Sequence, residues 1–93
     1  MKEWLAKLAD REARARILVR LQRMGAGKFG DCKPLADGVL ELRVDHGPGY
    51  RVYYASAGEK LMLLLVGGNK RKQQADIATA LLYWSDWNRR NAS

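Results

Sequence analysis

Cysteine and histidine are almost absent: Cys32 and His46 stand alone in a chain of 93 residues. One cysteine excludes an internal disulfide framework, and one cysteine with one histidine cannot assemble a Cys/His zinc site. No metal and no cofactor are therefore expected. Long apolar runs are missing as well. The longest, Leu61–Val66, spans six residues, against the roughly 20 that a bilayer crossing needs, so no membrane association is expected. The N-terminus, Met1-Lys2-Glu3-Trp4, is charged and lacks the apolar core of a signal peptide. The expected location is the cytoplasm. Acidic residues are the third scarcity: ten Asp+Glu face seventeen Lys+Arg, a net charge of +7. That imbalance disfavours an enzyme built on an acidic metal site. It favours an acidic partner, either nucleic acid or a negatively charged protein.

What is present is ordinary globular composition, 47% apolar and 29% charged, which excludes disorder. The length, with no repeat, low-complexity tract or linker, predicts one domain over residues 1–93. The charge is uneven. Residues 1–30 carry +5, residues 31–68 carry −1 and residues 69–93 carry +3, so the basic character lies toward the two ends.

Residues 2–25 are rich in Ala, Leu, Arg, Lys and Glu, all good helix formers. Trp4, Leu5 and Leu8, then Ala13, Ile17, Leu21 and Met24, recur at three- and four-residue spacing and mark an inward face. Asp10 suits the N-cap of a second helix, which predicts a helical hairpin closed by Gly25-Ala26-Gly27. Further on the period changes to two. Leu40, Leu42 and Val44 alternate with Val39, Glu41, Arg43 and Asp45; after the turn His46-Gly47-Pro48-Gly49, Tyr50, Val52 and Tyr54 alternate with Arg51 and Tyr53. Ser56-Ala57-Gly58-Glu59 reads as another turn, Leu61–Val66 as a strand buried on both faces, and Gly67-Gly68 as its end. Residues 70 to 87 read as a helix with Ile77, Leu81 and Trp84 inward. The expected fold is α+β: a helical hairpin, a three-stranded antiparallel meander and a C-terminal helix, with the helices packed on one sheet face.

Strand parity places Glu41, Arg43, Arg51 and Tyr53 on the face opposite Leu42 and Val52. If helices cover only the latter, the former is an exposed shelf bordered by Lys70, Arg71 and Lys72. Guanidinium forks grip phosphate oxygens and a tyrosine ring stacks on a base, so Arg43, Arg51, Lys70, Arg71 and Lys72 are candidate RNA-binding residues. The plainer reading is a cross-strand ion pair with Tyr53 filling an apolar gap. Three cations at a helix start oppose the helix dipole, which hints at an anionic ligand; otherwise they form a solvated basic turn. His46 has a side chain suited to general-base work, or is simply an exposed turn residue. Arg16, Arg20 and Arg23 form a basic stripe that either docks an acidic partner or is a solvated helix face.

The segment Gly38-Val39-Leu40-Glu41-Leu42-Arg43-Val44-Asp45-His46-Gly47-Pro48-Gly49-Tyr50-Arg51-Val52-Tyr53-Tyr54 resembles the central motif of RelE/ParE-superfamily toxins. It is most similar to the phage-derived addiction module killer proteins, grouped with HigB-like toxins. Leu63-Leu64-Leu65-Val66-Gly67-Gly68-Asn69-Lys70, Gln73-Gln74-Ala75-Asp76-Ile77, Arg14-Ala15-Arg16-Ile17 and Gly30-Asp31-Cys32-Lys33-Pro34-Leu35 extend the resemblance to about residues 3–84. It implies a toxin partnered by a cognate helix-turn-helix-type antitoxin. Superfamily members either cleave mRNA on the ribosome without a metal, using the RNA's own 2′-hydroxyl, or poison DNA gyrase. By position, Arg51 matches the family's strand arginine, Arg43 lies near a functional lysine, and Lys70 and Arg71 match the basic site after the next strand. The implied catalytic set is Arg51, Arg43, Lys70, His46 and Tyr53. Two departures stand out. Ile77 occupies the place of a tyrosine in the final helix of RelE-type ribonucleases, leaving proton transfer to His46, Tyr53 or Glu41. The family's opening strand is also expected to be missing, since Met1 falls at the start of the first helix; an exposed sheet edge, or a start upstream of Met1, would follow.

Overall fold

A computed structural model describes residues 2–28, 30–57 and 62–91. The chain runs α1 (Lys2–Ala6), α2 (Arg11–Gly25), β1 (Cys32–Ala36), β2 (Val39–Val44), β3 (Tyr50–Ser56), β4 (Met62–Asn69), a 3₁₀ turn (Lys70–Lys72) and α3 (Gln73–Asn91). The four strands form one antiparallel sheet in the order β1-β2-β3-β4. Residues Gly58, Glu59 and Leu61, named above in a turn and a strand, lie outside the described residues.

The α+β layout follows the expectation, with three differences that all bear on the site. The meander has four strands instead of three. Asp37 (φ 53°) and Gly38 (φ 90°) both adopt positive φ, the backbone of a tight two-residue hairpin turn, and so fold Cys32–Ala36 back onto β2. Pro34 sits within β1, which is tolerated because β1 is an edge strand and needs donors on one side only.

The helices cover both faces of the sheet rather than one. Ala13, Ile17 and Met24 of α2 pack with Leu42, Val44, Tyr50, Val52 and Tyr54, joined by Trp4, Leu5 and Leu8. On the opposite face Ala80, Ile77, Leu81 and Trp84 of α3 pack with Val39, Tyr53, Ala55 and Leu65. Each fully buried aliphatic side chain in these clusters contributes about 1.5–3 kcal/mol relative to an exposed one. A register shift between Tyr53 and Tyr54 leaves Leu65 without a direct partner in the β3–β4 pairing. Consecutive apolar residues of β4 therefore serve both layers, Leu64 on the α2 side and Leu63, Leu65 and Val66 on the α3 side.

Gly67-Gly68 does not end the strand; β4 continues through both to Asn69. The glycines are there for packing. A Cβ on Gly67 would run into the Trp4 ring, and one on Gly68 into the Asp76 carboxylate. These bare backbone positions let α1 press on one face and α3 on the other.

The hairpin of α1 and α2 is pinned by the expected cap. Asp10 Oδ1 accepts from the backbone N–H of Ala13 at 3.1 Å, satisfying one of the orphan donors of the first turn. Trp4 leans on Tyr50 with ring centroids 6.4 Å apart. At the far end Trp84 stacks on Trp87 at 5.6 Å and donates its indole N–H to the carbonyl of Asp37 at 2.8 Å, tying α3 to the β1–β2 turn. Among the described residues no helix is long and apolar enough to cross a membrane.

Candidate functional site

The β2–β3 pairing sets Arg43 directly opposite Arg51 and Glu41 opposite Tyr53, all four on the α3 face. Parity put them together, but α3 lies across half of the expected shelf. Glu41 is 1% exposed and Tyr53 fully buried, so Tyr53 offers no ring for a base to stack on. Its phenol is pushed well above its ordinary value, first by burial and then by the negative charges of Glu41 and Asp76. Neutral tyrosine is the state held here.

Under the first turn of α3 lies a buried polar cluster. Gln73 Nε2 donates to Glu41 Oε2 at 2.8 Å, and Arg51 Nε lies 3.6 Å from Glu41 Oε1. The Arg51 side chain is only 12% exposed, and its Nη1 donates to the carbonyl of Tyr50 at 3.1 Å. Arg51 is thus in large part the counter-ion of a buried glutamate. Asp76, next to Gly68, has its carboxyl pushed up by burial, partly offset by the charge of Lys72, and its Oδ2 is buried without a hydrogen-bond partner.

What stays open is a basic rim at the end of the sheet. Arg43, with its side chain 38% exposed, pairs with Asp31 Oδ1 at 3.0 Å. Lys70, Arg71 and Lys72 are exposed on the 3₁₀ turn, which Asn69 caps by accepting from the N–H of Lys72 at 3.3 Å. The turn is anchored next to Arg51: the N–H of Lys70 donates to the carbonyl of Gly49 at 2.9 Å. A Cβ at Gly49 would sit 3.6 Å from Lys70 Cβ and 3.7 Å from Arg51 Nη1. Both are ordinary contact distances, and glycine is called for here by its backbone, at φ 83°. Arg43, Arg51, Lys70, Arg71 and Lys72 are brought to one end of the sheet, as expected.

His46 is not among them. Its Nε2 lies 3.2 Å from Asp10 Oδ2, which draws the ring toward the start of α2, away from the face that carries Arg43 and Arg51. The Asp10 carboxyl is held below its ordinary value, chiefly by the Ala13 N–H and further by His46. The turn histidine thus braces a helix cap.

The Arg16/Arg20/Arg23 stripe also divides. Arg20 turns inward: Nη1 donates to the carbonyl of Arg43 at 2.7 Å and Nη2 to that of Asp31 at 3.1 Å. It clamps the β1–β2 edge to α2. Arg16 and Arg23 remain exposed. Ile77 packs against the core of the α3 layer.

Three contributors were not singled out from sequence. Asp31 holds both the guanidinium of Arg43 and a bond from Arg20; Gln73 and Asp76 furnish the buried cluster. The partners of Asp31 and Gln73 lie 11 to 32 residues away, beyond any local spacing signal. Among the described residues no group of three or more His, Cys, Asp or Glu side chains is placed to hold a metal ion.

Residues 3–81 match the family described as phage-derived protein Gp49-like (DUF891). An uncharacterized protein of Haemophilus influenzae is 47% identical over 79 residues, which cover 85% of this chain and 80% of that protein. No solved structure matches. The match spans both helices of the hairpin, the whole sheet and the first turns of α3, and on that coverage the chain belongs to the Gp49-like family of phage-derived proteins.

Proposed function

We propose that the protein is the toxin component of a toxin–antitoxin module of the RelE/ParE, HigB-like type, an endoribonuclease acting on ribosome-bound mRNA. The observation that carries the reading is the placement of Arg43, Arg51, Lys70, Arg71 and Lys72 at one end of the sheet, with Arg43 opposite Arg51 and Lys70 bonded to Gly49. Such a rim suits an RNA backbone: cations neutralise phosphates, and an arginine fork beside a scissile phosphate stabilises the charge that builds as the 2′-hydroxyl attacks. The partners of this reading are mRNA, the ribosome and a cognate helix-turn-helix-type antitoxin.

A second reading is favoured by one specific feature. Among the described residues none of the expected proton-transfer candidates stands open at the rim: Tyr53 and Glu41 are buried, His46 turns to α2 and Ile77 packs inward. A gyrase poison, or a toxin fold that acts by binding its antitoxin alone, needs no such group.

Primer-extension mapping in a translation extract separates the two. Cleavage by wild type, slowed at least tenfold by Arg43→Ala together with Lys70→Ala, is the expected result. Both residues are outside the buried clusters, so the fold persists in that variant. Transcripts left intact by wild type would rule out the ribonuclease, and loss of supercoiling by purified gyrase would then identify the alternative.

A further inference from the structure

An open groove of about 590 Å³ runs along α2 on the sheet face away from the basic rim, lined by Glu12, Ala15, Arg16, Val19, Arg20 and Arg23 with Val44 and Asp45. We propose that this groove docks an acidic amphipathic helix of a partner protein. The proposal rests on the toxin reading only for the partner's identity as antitoxin; the groove's chemistry stands on its own residues.

Glu12, Arg16, Val19 and Arg23 fall at i, i+4, i+7 and i+11, one line down the helix. Arg16 and Arg23 flank Val19 about 10 Å apart along the axis, two turns that match carboxylates spaced by seven residues on a docked helix. Val19 is 42% exposed, while Val44 beneath it is buried. The groove thus pairs an apolar floor with walls that carry three arginines against two carboxylates, Glu12 and Asp45, a net positive lining. A phosphate backbone gains nothing from a valine floor, whereas the apolar stripe of an amphipathic helix buries it.

The cations are available to differing degrees. Arg16 holds Glu12 at 3.0 Å, but both side chains are more than half exposed, so the pair exchanges readily for a partner carboxylate. Arg20 is committed to the carbonyls of Arg43 and Asp31 and acts as a fixed wall. Residues 1–30 carry +5, which supplies the long-range attraction for an acidic segment.

The sheet separates groove from rim. Val44 faces the α2 layer, while Arg43 and Arg51 share the opposite face with Glu41 and Tyr53. A helix seated in the groove therefore leaves Lys70, Arg71 and Lys72 open, and a polyanion binds at the same time.

The test uses the full chain and a synthetic 18-residue helical peptide carrying one leucine stripe flanked by glutamates. A scrambled peptide of equal composition and a labelled oligouridine serve as comparison probes. Fluorescence anisotropy should show binding of the amphipathic peptide that weakens at least tenfold in Arg16→Glu/Arg23→Glu and in Val19→Asp. It should be unchanged in Lys70→Glu/Arg71→Glu, which should instead weaken oligouridine. Saturating peptide should leave oligouridine bound. Circular dichroism of each variant confirms the fold, and all five substituted positions are exposed. The proposal is overturned if the amphipathic peptide does not bind, if the scrambled peptide binds equally well, if Lys70→Glu/Arg71→Glu weakens the peptide as much as the groove variants, or if the peptide displaces oligouridine. These readouts involve no RNA cleavage, so an absence of ribonuclease activity leaves the groove's test intact.

Discussion

Replacing Arg51 with alanine is the natural experiment on the rim, and the buried cluster says what it will do first. Glu41 is 1% exposed and its principal counter-charge is Arg51, 3.6 Å away. At that separation two unit charges attract by about 4–5 kcal/mol at an effective dielectric near 20. Arg51→Ala deletes the attraction and leaves a buried carboxylate with one neutral hydrogen bond, from Gln73. Breaking a buried pair in this way costs about 3–5 kcal/mol, out of the roughly 5–15 kcal/mol that a domain of this kind possesses. The melting temperature should fall by on the order of 12 °C or more. Neutralising the stranded partner reverses most of the loss, so Glu41→Gln/Arg51→Ala should be more stable than Arg51→Ala alone. Urea unfolding followed by tryptophan fluorescence measures all four corners of the cycle. Additivity of the two single changes within about 0.5 kcal/mol, or a loss below about 1 kcal/mol for Arg51→Ala, would refute the reasoning. The functional consequence is direct. Loss of toxicity in Arg51→Ala reports unfolding unless the double variant, refolded and still inactive, accompanies it.

Three further outcomes follow from the same geometry. The Asp76 carboxyl is raised by burial, so the folded state binds its proton more tightly and its ionisation erodes stability as pH climbs from the unfolded value of 3.8 through the raised one. Asp76→Asn should therefore be more stable than wild type at pH 7 and lose that advantage below pH 3.8; equal melting temperatures at pH 7 would contradict the burial argument. Gly67→Ala forces a methyl into the Trp4 ring and should cost about 1–3 kcal/mol as overpacking, read by urea midpoint, whereas a neutral result would show that α1 shifts freely. His46→Ala should leave RNA cleavage and oligouridine affinity unchanged while weakening the brace on Asp10, whose lowered carboxyl contributes stability above pH 3.8 that fades as pH falls through its folded value; a loss of cleavage in a folded His46→Ala would keep histidine in the catalytic set.

Much of the fold was legible locally. The three- and four-residue spacing of the N-terminal hairpin, the cap at Asp10 and the alternation across 39–54 all depend on neighbours within a turn or a pleat, and each is found as expected. The fourth strand also has a local signal that the expected three-stranded meander left unused: Asp37-Gly38 is a strong hairpin dipeptide, and Pro34 is tolerated on an edge strand. Parity also grouped Glu41, Arg43, Arg51 and Tyr53 on one face, because side-chain direction in a strand is a property of the strand itself.

What lies over that face was decided by tertiary structure. An alternating strand reads as half-buried whichever way it turns, and nothing in Glu41 or Tyr53 announces that α3 will cover them. Long-range packing also split the charges. Arg16, Arg20 and Arg23 are indistinguishable by spacing, yet Arg20 alone reaches two carbonyls, 11 and 23 residues away. The scarcities with which the chain presents itself keep their force: one cysteine, one histidine and few acids leave arginine and lysine to carry the chemistry. Composition determines how many cations there are. Their division into a buried counter-ion, an edge clamp, an open rim and a groove wall depends on desolvation and distance, which exist only once the helices have closed on both sides of the sheet.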